Sequence, residues 1–165
     1  MREMRRAGVA TLVVLLGMLV GVTAAQASDG SVRAAIHKVG FQIKESPELK
    51  AALAESKSEK EATGKVSPAK LISVISKFER SLKDAALTVG AQKASTAVGK
   101  QGEKLWLKGV QKLTTGFSAL QVGIEDKEKK DKSSAKEEAL NAAGDIVAAA
   151  KDLNRADKLL KIPTK

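Results

Sequence analysis

Between Gly102 and Ile124 the chain reads GEKLWLKGVQKLTTGFSALQVGI. The large apolar residues in this stretch are spaced alternately four and three apart, which places them on one face of an α-helix in the pattern that packed helices share. They are Trp106, Val110, Leu113, Phe117, Leu120 and Ile124. The spacing predicts a long helix whose apolar seam packs against neighbouring helices.

Glycine recurs every seven residues beside this seam, at Gly102, Gly109, Gly116 and Gly123. A helical glycine costs about 1 kcal/mol relative to alanine, so four in register imply a packing contact that offsets about 4 kcal/mol. We expect the alanine-rich last helix to pack on this glycine stripe. A membrane-spanning helix pair is the alternative, and the lysines of the same helix argue against it.

The opposite face of the helix has a lysine at every fourth position, namely Lys100, Lys104, Lys108 and Lys112. A row of cations on a helix face is typical of contact with an anionic membrane or with an acidic polymer. These four lysines are therefore the candidate contact residues for an anionic surface. The structural alternative is that they only keep a helical bundle soluble.

Two Ser-Pro pairs, Ser46-Pro47 and Ser67-Pro68, combine an N-cap residue with a proline at the first helical position, which is a helix start signal. The first pair predicts a break after a short helix over residues 31–44. We expect Phe41 to pack beneath the second short helix, with an exposed aromatic as the alternative. The polar residues 56–65 are predicted to form a loop or a frayed helix end.

The helix that begins at Ser67-Pro68 is predicted to stop at a turn near Gly90, and a break over Gly99–Gly102 is the alternative. Residues 125–132 are all charged, which favours a solvated connection. A capping box of Ser134 and Glu137 is predicted to open the last helix. The apolar face of that helix is predicted to contain Ala139, Ala143, Ile146, Ala150 and Leu153, and to continue to Leu160.

The predicted fold is therefore all-α. We expect an up-down antiparallel helical bundle of three long helices plus a short kinked N-terminal helix, because short connections favour antiparallel neighbours.

The first 27 residues have the three parts of a secretory signal peptide. Arg2, Arg5 and Arg6 precede an uncharged apolar run, and Ala25-Gln26-Ala27 resembles a cleavage site. We expect cleavage after Ala27, which leaves residues 28–165 as one helical-bundle domain that a bacterium secretes or exports to its periplasm or cell envelope. An uncleaved N-terminal membrane anchor is the alternative.

The composition argues against several kinds of site. The net charge is +10, there is no cysteine, and His37 is the only histidine. Disulfides, lipidation and an ordinary zinc site are therefore not expected. No spacing of acidic, serine and histidine residues predicts a catalytic constellation, so we expect neither an enzyme nor a bound cofactor.

These features predict a non-catalytic interaction or structural module at the cell envelope or outside the cell. Its expected partner is an anionic envelope polymer, an anionic membrane surface or another protein. The alternatives are a carrier that holds a small lipid-like ligand between its helices, and a bundle that disrupts membranes. Sequence-specific nucleic-acid recognition is not expected, because no aromatic platform is interleaved with the lysines. The sequence leaves the oligomeric state open.

Overall fold

In a computed structural model of the protein, the described residues are 29–129 and 131–161. These two segments contain five helices and no strand, arranged as a helical bundle as predicted. The helices are α1 (Gly30–Glu45), α2 (Pro47–Thr63), α3 (Pro68–Gly90), α4 (Ala97–Glu128) and α5 (Lys132–Leu159). Helix α4 packs on α3 and α5, while α3 also packs on α1 and α2. The predicted leader, residues 1–27, lies outside the described residues.

The predicted break at Ser46-Pro47 is confirmed as a kink of 40° between α1 and α2. The Ser46 side chain accepts a hydrogen bond from the Leu49 backbone N–H at 3.3 Å, and Pro47 is the first residue of α2. The expectation for Phe41 is wrong, since this side chain is 54% exposed. It lies on the outer face of α1, because Val39 and Ile43 turn the other face of the helix into the core.

Helix α2 is longer than predicted, and most of the expected loop over residues 56–65 is helical. Its last turns are rich in Glu, Lys and Ala, which are good helix formers. The helix ends at Gly64, which has a left-handed φ of 70°. The Glu59 carboxylate then accepts a hydrogen bond from the Ser67 backbone N–H at 2.8 Å, which ties the end of α2 to the start of α3.

The predicted turn near Gly90 is confirmed, and no break occurs at Gly99–Gly102. Helix α4 begins at Ala97, with the Thr96 side chain accepting a hydrogen bond from the Gly99 backbone N–H at 2.9 Å. The helix continues to Glu128, so the solvated connection predicted over 125–132 is shorter than expected. The N-cap of α5 is Asp131 rather than Ser134, because the Asp131 carboxylate accepts from the Ser134 backbone N–H at 3.0 Å.

The predicted seam of α4 forms the centre of the hydrophobic core. Trp106, Val110, Leu113 and Phe117 are each at most 1% exposed. Phe117 meets Phe78 of α3 edge to face, with ring centroids 5.0 Å apart. The seam weakens toward the end of the helix, where Leu120 and Ile124 are only partly buried.

The glycine stripe lies against α5, as predicted. A Cβ atom added to Gly102 would lie 2.6 Å from Leu160 Cγ, and one added to Gly109 would lie 2.7 Å from Leu153 Cγ. At Gly116 and Gly123 the added atom would lie 3.2 and 3.3 Å from backbone carbonyl oxygens of α5. A side chain would therefore collide with leucine at Gly102 and Gly109, and it would press on the α5 backbone at Gly116 and Gly123.

The predicted face of α5 is confirmed in part, since Leu153 and Leu160 are buried and Ile146 lies against Gly116. Ala143 is exposed, and Ala139, Ile146 and Ala150 are only partly buried. The buried residues of α5 include a second stripe of small residues with seven-residue spacing, Ala142, Ala149 and Ala156, with Leu153 and Leu160 beside it. The small stripes of α4 and α5 therefore face each other, and the large side chains flank the contact.

No helix in the described part of the chain is long and apolar enough to cross a membrane.

Substituting Gly109 with alanine tests the close α4–α5 contact. The new Cβ has no room beside Leu153, so we expect Gly109→Ala to lower the free energy of unfolding by about 1–3 kcal/mol. The matched control is Gly144→Ala in α5, where nothing lies within 4 Å of an added Cβ. That control is expected to raise the stability by about 0.5–1 kcal/mol, because alanine is the better helix former. Urea unfolding measures the free energy of unfolding of each variant. Equal changes in this free energy for the two substitutions would contradict the close α4–α5 contact.

Asp157 in α5 is a buried carboxylate, 8% exposed, with no hydrogen bond or ion pair among residues 29–129 and 131–161. Burial raises the pKa of this carboxyl to about 6, from an ordinary value of 3.8. The folded state therefore holds this proton more tightly than the unfolded state, and stability falls as the pH rises from about 4 to 6.

Asp157→Asn removes the buried charge. We expect the variant to be more stable than the wild type at pH 7.5, by about 1–2 kcal/mol after allowance for solvent screening. The gain should shrink as the pH falls through 6 and be absent near pH 4. Thermal unfolding across this pH range measures the effect, with the exposed Asp84→Asn as control. A stability gain that does not change with pH would show that the carboxylate charge is not its cause.

Candidate functional site

Helix α4 has neighbours on two sides, and its lysines lie on a third side that faces solvent. The glycine stripe meets α5, and Val110 and Leu107 border α3, with the apolar seam between these two contacts. A four-residue step along a helix turns by about 40°, so the lysine row winds slowly around α4. Lys100, Lys104 and Lys108 are exposed, whereas Lys112 is half-buried where the row reaches the border with α5.

Lys112 is used inside the protein. Its ammonium group donates a hydrogen bond to the carboxylate of Asp152 in α5, with an Nζ–Oδ2 distance of 2.7 Å. The pKa of Asp152 is lowered, first by this hydrogen bond and further by the positive charges of Lys112, Lys108 and Arg155. Lys112 therefore joins α4 to α5, and it differs in role from the other three predicted residues.

Arg155 belongs to the same side of the molecule, which the sequence analysis did not predict. Its positive charge acts on the Asp152 carboxylate together with that of Lys108, so these two cations lie near one carboxylate from different helices. Arg155 is exposed. We call the set Lys100, Lys104, Lys108 and Arg155 the cationic face. In the sequence, the only signal for Arg155 is its position three residues after Asp152, on the same helix face.

None of the three lysines of the cationic face forms an ion pair within the described residues. Glu103 is the acidic residue nearest to them in the chain, and it is half-buried. Its carboxylate accepts a hydrogen bond from the Ala94 backbone N–H at 3.2 Å, in the connection between α3 and α4. Apart from the effect of Lys108 and Arg155 on Asp152, the positive charge of the face is exposed to solvent.

The carboxylate of Asp29, just before α1, holds the N-terminal end of α4, where the lysine row begins. Asp29 accepts hydrogen bonds from the backbone N–H groups of Ser95 and Thr96, at 2.8 and 3.1 Å, and also from both hydroxyl groups. Its carboxylate lies against Gly99, where an added Cβ would be 2.1 Å away. The N-terminal end of α1 is thereby attached to the N-terminus of α4, where the helix dipole favours a negative charge.

Within the described residues, no group of three or more His, Cys, Asp or Glu side chains is placed to hold a metal ion. No known protein family, no curated protein and no solved structure matches the chain.

The Asp29 contact predicts an acid-sensitive contribution to stability. The hydrogen bonds from Thr96, assisted by those from Ser95, lower the pKa of Asp29 to about 2, from an ordinary value of 3.8. A lowered pKa in the folded state stabilises the fold above about pH 4, and this contribution is lost as the pH falls toward 2.

Asp29→Asn should therefore destabilise the protein at neutral pH, because the amide has one acceptor oxygen in place of two charged ones. The difference in unfolding midpoint between wild type and variant is expected to narrow as the pH falls from 4 to 2. Urea unfolding at several pH values checks this. The exposed Asp84→Asn provides the baseline, and a gap between wild type and Asp29→Asn that stays constant down to pH 2 would count against the contact.

Proposed function

We propose that the protein is an exported, non-catalytic interaction module that binds anionic surfaces through its cationic face. The observation that carries the proposal is the exposure of Lys100, Lys104 and Lys108 on the side of α4 that neither α3 nor α5 covers. None of these lysines forms an ion pair in the described part of the chain, although Lys108 lies near the Asp152 carboxylate, so a partner that supplies negative charge can neutralise them.

The spacing of the lysines suits a target with repeated negative charges. Successive lysines rise by roughly 6 Å along a helix, at 1.5 Å per residue. Because α4 is held along its length by α5, the charges keep this spacing rather than moving independently. A lysine near an anionic lipid surface contributes about 1 kcal/mol, and salt screens the interaction. An anionic membrane or an acidic envelope polymer provides such a target.

The location of the aromatic residues argues against a partner whose bases stack on the protein, such as a single-stranded nucleic acid. Proteins that bind single-stranded nucleic acid stack the bases on exposed aromatic side chains. Trp106 is 1% exposed, and Phe78 and Phe117 are buried with it in the core. The exposed Phe41 belongs to α1, outside the cationic face. The predicted leader adds a reason to place the target at the envelope or outside the cell.

A triple substitution tests the proposal. We expect Lys100→Gln, Lys104→Gln and Lys108→Gln together to weaken binding to phosphatidylglycerol-containing vesicles by about a hundredfold at low salt, at about 1 kcal/mol per lysine. The matched control replaces the exposed Lys38, Lys60 and Lys136 with glutamine, which removes the same charge from other surfaces. Vesicle co-sedimentation over a range of salt concentrations measures the affinity and its salt dependence.

The control variant should bind almost as well as the wild type. Equal losses of vesicle affinity in the two triple variants would mean that the net charge of the protein, and not its cationic face, determines binding. Wild-type binding that does not weaken with added salt would contradict the electrostatic basis of the proposal.

A further inference from the structure

Helix α5 has a second apolar seam, on the side that faces solvent. Leu140 is 62% exposed and Val147 is 56% exposed, and both lie on this side. Gly144 lies between them, and nothing is within 4 Å of a Cβ added to it. A step of two residues turns a helix by about 200°, so Gly144 lies nearly opposite Ala142, which is buried against α4. The outer seam of α5 therefore points away from the bundle.

The outer seam ends in an acidic residue on one side and a basic residue on the other. Its five residues follow the alternation of three and four that packed helices share, and they are Glu137, Leu140, Gly144, Val147 and Lys151. Glu137 and Lys151 are exposed, and neither forms an ion pair with another described residue. The seam covers about 21 Å of helix, at 1.5 Å per residue.

The order of residues in the outer seam is complementary to its own reverse. Gly144 is at the centre, with an apolar residue on each side and opposite charges seven residues away in the two directions. When a second copy of α5 packs antiparallel, with a two-fold axis at Gly144, every contact is made twice, as an isologous interface requires. Leu140 then meets Val147 of the partner subunit. Glu137 meets Lys151 of the partner subunit, whereas a parallel pair would bring like charges together.

Gly144 gains a role in this arrangement. Glycine is unfavourable in the middle of a helix, and no contact among the described residues requires it at this position of α5. A residue on a two-fold axis meets its own copy, so a glycine there lets the two helices approach closely. The glycine stripe of α4 allows the same close approach to α5 inside the bundle.

We propose that the protein forms a homodimer through the outer seam of α5, with the two helices antiparallel and Gly144 on the two-fold axis. The exposed apolar residues supply the buried surface, and the order of charges selects a second copy of this chain. The inference goes beyond the proposed function, because the lysines of the cationic face lie on α4 and take no part in this contact. A single pair of helices forms a small interface, so we expect a dimer that dissociates at the low micromolar concentrations of the unfolding experiments.

Sedimentation equilibrium of the protein after leader removal tests the proposal, from low micromolar concentration to about 1 mM. A salt concentration of about 0.15 M screens the net positive charge of the two subunits. The measured mass is expected to rise from that of one chain toward that of two chains across this range. A mass that stays at one chain throughout, or that passes beyond two chains, would overturn the inference.

Leu140→Gln combined with Val147→Gln removes the apolar contact and keeps the charge. The double variant is expected to self-associate about tenfold or more weakly than the wild type, because the exposed apolar surface of the seam is lost. The matched control is Leu87→Gln with Val98→Gln, at positions that are 75% and 51% exposed, and it should self-associate normally. Circular dichroism checks that both variants are folded. Normal self-association of the folded Leu140→Gln, Val147→Gln variant would refute the seam as the interface.

Charge reversal tests the antiparallel register. Glu137→Lys brings like charges together twice, so self-association is expected to weaken about tenfold or more. Adding Lys151→Glu to the same chain restores opposite charges in the antiparallel pair and the net charge of the wild type, so this variant should self-associate normally. The control Glu55→Lys, at an exposed position of α2, changes the net charge equally and should have little effect. A charge-swapped variant that stays as weak as Glu137→Lys would show that the register is wrong.

The combined outcomes separate this inference from the proposed function. The triple variant Lys100→Gln, Lys104→Gln and Lys108→Gln should form dimers at least as well as the wild type, and loss of its self-association would overturn the outer seam as a separate interface. Dimers without vesicle binding leave the inference in place and overturn the anionic-surface function. A monomeric wild type that loses vesicle binding through Leu140→Gln with Val147→Gln would assign the seam to a membrane and overturn the dimer.

Discussion

The close approach of two backbones, α4 and α5, is the constraint from which the rest of the structure follows. Glycine on α4 meets α5 or its C-cap residue Leu160 at seven-residue intervals, and added Cβ atoms would lie within 3.3 Å of these partners at all four positions of the stripe. This contact fixes the rotation of α4 about its own axis. Once the glycines face α5, the apolar seam must face the core and the first three lysines must face solvent.

The small residues of this interface serve helix contact and not ligand space. An interior rich in glycine and alanine is expected to leave room between helices, and the sequence suggested a carrier on that ground. In the structure, Leu153 and Leu160 cover the places left by Gly109 and Gly102. The space between helices lies instead at the α3–α4 border, where Leu107 is only half-buried.

Paired carboxylates stabilise the fold of this protein at neutral pH, whereas a buried carboxylate without a partner destabilises it. Asp29 is held by hydrogen bonds that favour its charged form, which attaches the N-terminal end of α1 to α4. Asp152 is likewise paired, with Lys112. Asp157 lacks such partners among the described residues, and burial raises its pKa. The same helix α5 therefore contains one acidic residue that strengthens its contact with α4 and another whose charge opposes folding at neutral pH.

The sequence by itself determined the features that depend on local spacing. The helical seam from Trp106 to Phe117, the starts at Pro47 and Pro68, the turn after Gly90 and the lysine row all follow from periods or cap residues within a few positions. Only the tertiary structure decided which alanines of α5 are buried, because an alanine-rich helix has little contrast between its faces. Long-range contacts also lie beyond sequence periodicity, since the partners of Asp29 and Lys112 are 66 and 40 residues away. Those contacts decided that Lys112 joins two helices while Lys100, Lys104 and Lys108, with Arg155, form the exposed cationic face.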